Sequence, residues 1–244
     1  MARFALLALL IAGQLAVAQP LLFQPREIDR KVPGCGDAQD GCVHAELDWA
    51  DAISGTEPLR GRINAAVLAF LGGKLTPEEY AAGFVRSYQD APKHLLNERW
   101  YVWKKVKLLR AMPPVISLEC SQSSFTGGAH PSSDTTFLNF DAHTGEKATL
   151  ADIVIDGAMP SLTQVAEQQF RKARELMPTA DLKDAGFIFF KGDRFFVNDN
   201  WGVANDSLIF YYNAYEAAPY YMGPTEVKIP FEAIRDLLRP GLAN

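Results

Sequence analysis

The chain has 244 residues, with 24 basic and 29 acidic side chains, a formal net charge of −5 and 48% hydrophobic residues. Charges of both signs are spread along it, which excludes the basic stripe that a nucleic-acid binder needs. Ordinary glycine, proline and apolar contents exclude bulk disorder and supply a real core, for one large domain or two small ones.

The N-terminus reads Met1-Ala2-Arg3, then an apolar run from Phe4 to Leu15, then Ala16-Val17-Ala18. One positive charge, a short apolar stretch and an A-x-A site are the parts of a cleavable secretory signal. The run is shorter than the roughly 20 residues that span a bilayer. Residues 1–18 are therefore expected to be a signal peptide, cleaved after Ala18, with the protein periplasmic or secreted and without a membrane span thereafter. In an oxidising compartment Cys35 and Cys42 can close the turn-rich loop Gly36–Gly41, so a Cys35–Cys42 disulfide is expected. Cys120 lies in an alternating apolar stretch and is expected to be a buried free thiol. A metal site built from Cys35, Cys42 and His44 is disfavoured, because only three ligands are evident. No metal and no cofactor is expected.

Residues 19–34 read as an extended lead-in and Val43–Trp49 as a strand. Leu59, Ile63, Val67 and Phe70/Leu71 recur at helical spacing, and Gly72-Gly73 ends that helix. Thr76-Pro77-Glu78-Glu79 opens a second helix, with Thr76 as N-cap, Pro77 in the first position and Glu79 completing a capping box. It runs to about Asp90. β-Rich sequence follows: Trp100–Met112, the Pro113-Pro114 break, Val115–Ser121 and Asp134–Asp141. Leu150 opens a helical region whose apolar stripe continues through Leu162, Val165, Ala166, Phe170 and Ala173 to Met177. Strands are then expected at Phe187–Phe190, Phe195–Val197, Ser207–Asn213 and Glu226–Ile229, with a closing helix over Pro230–Leu238.

Strands and helices come in blocks rather than in strict alternation. The predicted fold class is α+β, with helices packed on a mainly antiparallel sheet and two α/β subregions in one compact unit. The weak boundary near residue 145 divides an N-terminal region, 19–145, from a C-terminal one, 146–244.

Two stretches carry a family resemblance. One is Thr126-Gly127-Gly128-Ala129-His130-Pro131 with Asn139-Phe140-Asp141 and Thr144-Gly145. The other is Tyr211-Tyr212-Asn213-Ala214-Tyr215-Glu216-Ala217-Ala218-Pro219-Tyr220, then Gly223-Pro224 and Val227-Lys228-Ile229-Pro230. In order and spacing they resemble the extracytoplasmic region shared by RsiV-type anti-sigma factors and PdaC-type peptidoglycan deacetylases, over roughly residues 30–238. The C-terminal half of that region is classed as a domain of unknown function. The resemblance implies an α+β module at the bacterial cell surface or in the periplasm. In RsiV-like proteins it binds lysozyme; in PdaC-like proteins it precedes a separate catalytic domain. This sequence shows neither a sigma-binding segment before the apolar run nor a deacetylase domain before Asn244, so the binding module alone is what carries over.

The candidate binding residues are Gly127, Gly128, His130, Asp141, Tyr215, Tyr220 and Tyr221. The glycine pair lets the backbone take positive φ or approach a partner closely. His130 can donate, accept or ligate, and equally can cap a neighbouring carbonyl in a tight connection. Asp141 and His143 stand near it in sequence. No G-x-S-x-G elbow surrounds Ser123 or Ser124. Asn198-Asp199-Asn200 with Asn205-Asp206 offers oxygen ligands, but Gly202 is misplaced for a calcium loop and the closing Glu is absent, so a solvated turn is expected. Among the tyrosines, Tyr220 and Tyr221 lie in a Pro/Gly loop and are the better partners for a ligand.

The leading expectation is an exported binding module without catalytic residues, recognising a lysozyme-like protein or peptidoglycan. The alternatives are an envelope hydrolase centred on His130 and a purely structural envelope protein. An enzyme should hold His130 in a cleft beside a carboxylate. A binding module should show a groove or patch with aromatic residues.

Overall fold

The computed structural model describes residues 20–32, 42–92, 99–188, 190 and 194–243. Cys35 lies outside them, and with it the expected Cys35–Cys42 pairing, as do residues 1–18. Among the described residues no helix is long and apolar enough to cross a membrane.

A five-stranded sheet forms the larger layer, in the order β1 (Phe23–Val32), β2 (Val43–Ala52), β3 (Trp100–Arg110), β4 (Val115–Phe125) and β5 (Ser132–Asp141). Neighbours are antiparallel except β2 and β3, which are parallel. A parallel pair needs a long crossover, and that crossover holds the two expected helices, α1 (Glu57–Gly72) and α2 (Pro77–Gln89). The apolar positions of α1 face inward: Leu59, Ile63, Val67 and Leu71 are all buried. In α2 the Thr76 hydroxyl accepts from the Glu79 N–H while the Glu79 carboxylate accepts from the Thr76 N–H, the capping box read from the sequence. The expected extended lead-in is a paired edge strand, β1.

Period-two alternation divides the sheet. One face sends Ala45, Leu47, Val102 and Leu118 into a core with Ile63, Val67 and Leu71 of α1. Lys104 also reaches this side. Its Nζ donates to the Phe70 carbonyl at 2.9 Å and lies 4.3 Å from the Tyr80 ring centre. The ammonium thus satisfies an orphan carbonyl in the last turn of α1, while burial lowers the lysine pKa. The opposite face, by register, carries Glu46, Asp48, Trp103, Lys105, Glu119, Ser121 and Thr135.

The rest of the chain builds a second unit over part of that face. It comprises α3 (Leu150–Ile153), α4 (Met159–Ala173), β6 (Trp201–Val203), β7 (Ser207–Tyr212), β8 (Thr225–Pro230) and α5 (Phe231–Ile234). Strands β6, β7 and β8 form an antiparallel sheet. Its core centres on Phe170 of α4, whose ring meets those of Phe187, Phe190, Phe195 and Tyr212 at centroid distances of 4.9–5.9 Å. The fold is α+β, as the block pattern implies.

Three local expectations are corrected. Phe187, Ile188, Phe190 and Phe195–Val197 lie outside any strand, and the rings of Phe187, Phe190 and Phe195 pack on Phe170. The strand over Trp201–Val203 was not anticipated. The long helical region from Leu150 is two helices, and α4 ends at Ala173, leaving Met177 71% exposed.

A buried polar chain fastens the two sheets. The Ser117 hydroxyl donates to Asn139 Oδ1 (2.6 Å), Asn139 Nδ2 donates to the Trp201 carbonyl (2.7 Å), and the Val203 N–H donates to Ser117 Oγ (2.9 Å). Nearby, Asn213 Oδ1 accepts from the Thr135 N–H (2.8 Å) and Asn213 Nδ2 donates to the Thr135 carbonyl (3.0 Å). The amide side chain of Asn213 thereby stands in for a neighbouring strand on the open edge of β5.

Cys120 is a free thiol, 1% exposed, and burial pushes its pKa from 9.0 up to about 12. Near pH 8 this leaves roughly a thousandfold less thiolate than in the unfolded chain, and the thiolate is the reactive species. Cys120 in the folded protein is therefore expected to react with a thiol-specific disulfide reagent at least about a hundredfold more slowly than in urea. Similar labelling rates in the two states would contradict its placement.

Candidate functional site

Where the second unit leaves the large sheet uncovered, a groove of about 650 Å³ opens between them. Its floor is the polar sheet face, with Trp103 on β3, Glu119 and Ser121 on β4, and Thr135 on β5. Its wall is the end of β7, the β7–β8 connection and Glu226 on β8.

That wall is held from behind by one side chain. Arg174 caps the C-terminus of α4. Its Nε donates to Thr225 Oγ1 (2.8 Å), Nη1 to the Met222 carbonyl (3.0 Å), and Nη2 to the carbonyls of Gly223 (2.9 Å) and Pro224 (3.1 Å). The guanidinium also lies 5.5 Å from the Phe187 ring centre. A planar fork of donors suits a cluster of carbonyls around one turn.

The connection contains Tyr215, with φ of 68°, and the 3₁₀ turn Tyr220–Met222. A tyrosine at positive φ is strained and persists only where its surroundings over-determine it. Here it sets the Tyr215 ring 6.0 Å from that of Tyr220. Tyr220 in turn stacks on His130, with centroids 3.8 Å apart and planes 20° from parallel. The Tyr220 hydroxyl donates to the Pro131 carbonyl (3.0 Å), and His130 Nδ1 lies 2.8 Å from the same oxygen. A carbonyl only accepts, so Nδ1 carries the proton. Tyr221, 83% exposed, projects into the groove.

The structure thus brings together His130, Tyr215, Tyr220 and Tyr221, which the sequence places about 90 residues apart. Gly127 and Gly128 have φ of 98° and 112°, so the β4–β5 connection that presents His130 uses the conformational freedom expected of them. Asp141 does not join this group. It sits at the far end of β5 and accepts from the N–H groups of His143 (2.9 Å) and Thr144 (2.7 Å) and from the Thr144 hydroxyl (3.0 Å). Partial burial works against its charge, but the Thr144 and His143 hydrogen bonds outweigh this and hold its pKa below the usual value. Its role is to close a turn.

Asn198 Nδ2 donates to the Tyr211 carbonyl (2.8 Å), and Asn200 Nδ2 donates to the Thr135 carbonyl (2.8 Å). These amides bracket strands rather than present oxygens to a cation. Among the described residues no group of three or more His, Cys, Asp or Glu is arranged to hold a metal. Sequence reasoning missed Trp103, Glu119, Glu226 and Arg174 as site residues. Strand parity was the one signal that could have raised the first two.

Residues 151–232 match the family model described as "Protein of unknown function (DUF3298)". The structure is similar to the crystal structure of a DUF3298 family member from Bacteroides fragilis. That likeness covers 90% of this chain and 94% of the other, at a TM-score of 0.67 and 22% identity. A DUF3298 family protein from Pseudomonas aeruginosa PAO1 is also similar, over 92% of this chain and 97% of its own, at a TM-score of 0.65 and 20% identity. A curated relative, Esterase Rv3036c of Mycobacterium tuberculosis, is 25% identical over 117 residues, 46% of this chain and 47% of that one. The match therefore spans about half the length of that relative. The family match is confined to residues 151–232, and the structural likeness, running over nine-tenths of the chain, gives it the fold of the DUF3298 structures.

Proposed function

We propose that this protein is an exported, non-catalytic binding module of the bacterial envelope that takes cell-wall glycan into the groove between its sheets. The observation that carries this reading is the aromatic lining, half-buried Trp103, Tyr211 and Tyr220 with exposed Tyr221, beside the Ser121 hydroxyl and the Glu119 and Glu226 carboxylates. Aromatic faces supply apolar contact at low entropic cost, and scattered polar groups fix orientation, which is the usual make-up of a small-ligand site. The volume of about 650 Å³ suits a short oligosaccharide. The secretory-signal pattern of residues 1–18 supports export. A lysozyme-like protein, implied by the RsiV-type resemblance, is the alternative occupant.

Capture of the protein on purified peptidoglycan, with immobilised lysozyme as the second arm, tests the proposal. Wild type is expected to be retained on peptidoglycan. Tyr220→Ala with Tyr221→Ala is expected to lose at least about tenfold in affinity, the effect of removing central aromatic contacts. Retention on lysozyme alone, or on neither, would overturn the glycan reading.

The relative named as an esterase favours a second reading, ester hydrolysis centred on His130. Among the described residues His130 has no carboxylate within hydrogen-bond reach, and one ring face is covered by Tyr220. A positioned base normally has an orienting partner. Nitrophenyl-ester hydrolysis that vanished in a folded His130→Ala variant would establish this reading over the first.

A further inference from the structure

We infer that the glycan this groove selects carries free amino groups. The inference rests on the glycan reading above and adds the charge of the ligand. Two carboxylates line the groove, Glu119 and Glu226, and among the described residues no lysine or arginine does. The cations nearby are engaged or lie outside it. Lys105 pairs with Glu46 (2.8 Å) and approaches Asp48 (3.8 Å) on the open sheet face. Lys228, two residues along β8 from Glu226, pairs with Asp206 (3.4 Å). The Arg174 donors are directed to Thr225 and the carbonyls behind the wall. Lys107 is the ladder partner of Glu119 and offsets that charge in part. Glu119 accepts from the Ser121 hydroxyl (3.3 Å), and Glu226 has no hydrogen-bond or ion-pair partner among the described residues.

A ligand that fills the groove takes water from these carboxylates. A neutral, N-acetylated sugar returns only hydroxyl and amide donors, and an anionic polymer is repelled. A protonated amine returns a charge-assisted hydrogen bond, roughly twice as strong as a neutral one. The aromatic wall adds a second attraction for a cation held against its rings.

Calorimetric titration of the full-length protein with equal-length oligosaccharides of glucosamine and of N-acetylglucosamine, at mildly acid pH, tests this. The glucosamine series is expected to bind about tenfold more tightly at low salt, with the ratio shrinking at high salt as the charges are screened. Glu226→Gln is expected to move that ratio toward one. The position is exposed, so the unfolding midpoint should stay close to wild type. Equal or weaker binding of the glucosamine series would overturn the inference and leave the glycan reading standing. Binding of neither series would overturn both. A glucosamine preference that survived this substitution would put the selectivity elsewhere and overturn the assignment to this groove.

Discussion

Gly202→Ala is expected to destabilise the protein by about 3 kcal/mol, at the upper end of the usual range for overpacking. A Cβ at residue 202 would stand 2.3 Å from Cδ1 of Phe137, 2.8 Å from Cε1 and 2.9 Å from Cγ. Backbone conformation is not the obstacle, because Gly202 does not sit at positive φ. The obstacle is the ring of β5 against the backbone of β6. Retreat of the strand is blocked on both sides of residue 202. The Trp201 carbonyl is held by Asn139 and the Val203 N–H by Ser117, in a buried network that costs about 1–3 kcal/mol for each group left unpaired. For a domain of this size the loss corresponds to a fall in Tm of roughly 6–12 °C.

Differential scanning calorimetry of Gly202→Ala, Phe137→Ala and the double variant makes the cause visible. If the clash is with the ring, the double variant should be less destabilised than the sum of the singles, by a coupling of about 1 kcal/mol or more. A Tm within about 2 °C of wild type for Gly202→Ala would contradict the docking of the two sheets described here. Because β6 pairs with β7, whose Tyr211 lines the groove, the same substitution should also weaken glycan capture.

Much of this architecture was legible in the sequence where local chemistry and long periodicity agree. In α1 the stripe Leu59, Ile63, Val67 and Leu71 is buried as read, and in α2 Thr76 and Glu79 cap reciprocally as their spacing requires. In β4 the predicted face Ile116, Leu118 and Cys120 is buried, and Ser117 is buried on the other side because the second unit packs there. The failures have one physical origin. Phe187, Phe190, Phe195 and Phe196 look like strand residues, since β-propensity measures fitness for a half-buried surface rather than a backbone preference. The rings of Phe187, Phe190 and Phe195, collected around Phe170, and that of Phe196 against Phe190 meet that description without any ladder. Trp201–Val203 is too short to show a period, and its place is fixed by Ser117 and Asn139, more than 60 residues earlier.

The site divides in the same way. His130, Tyr220 and Tyr221 stood out because glycine- and proline-rich connections lie on the surface. Their meeting did not, since nothing local to either stretch encodes a stack across the sheet. Asp141 shows the converse error: nearness in sequence to His130 suggested a shared site, yet β5 carries the two to opposite ends. Glu119 and Glu226 belong to no motif and come to line one groove only when β4 and β8 converge.

Arg174→Met is the substitution that should separate the groove from the rest of the fold. The side chain keeps most of its apolar stem against Phe187 but loses donors to three carbonyls and to the Thr225 hydroxyl. Burial lowers the arginine pKa, yet a guanidinium remains charged in proteins, so these are charge-assisted bonds. Their removal is expected to cost about 2–3 kcal/mol, since the partially buried carbonyls recover only part of their hydration. Glycan capture should fall by at least about tenfold, because a wall that samples several conformations must be ordered again by the ligand. Arg174→Lys should restore only part of both quantities, since one ammonium cannot span four acceptors placed for a fork. Hydrogen exchange locates the effect: the amides of Met222 and Gly223, which donate to Pro219 and Tyr220 within the turn, should exchange faster in Arg174→Met. Those of β3 and β4 should change less, because their ladders lie in the other sheet. Unchanged exchange at Met222 and Gly223, with glycan affinity equal to wild type, would mean that the turn holds its own shape and that Arg174 does not position the groove.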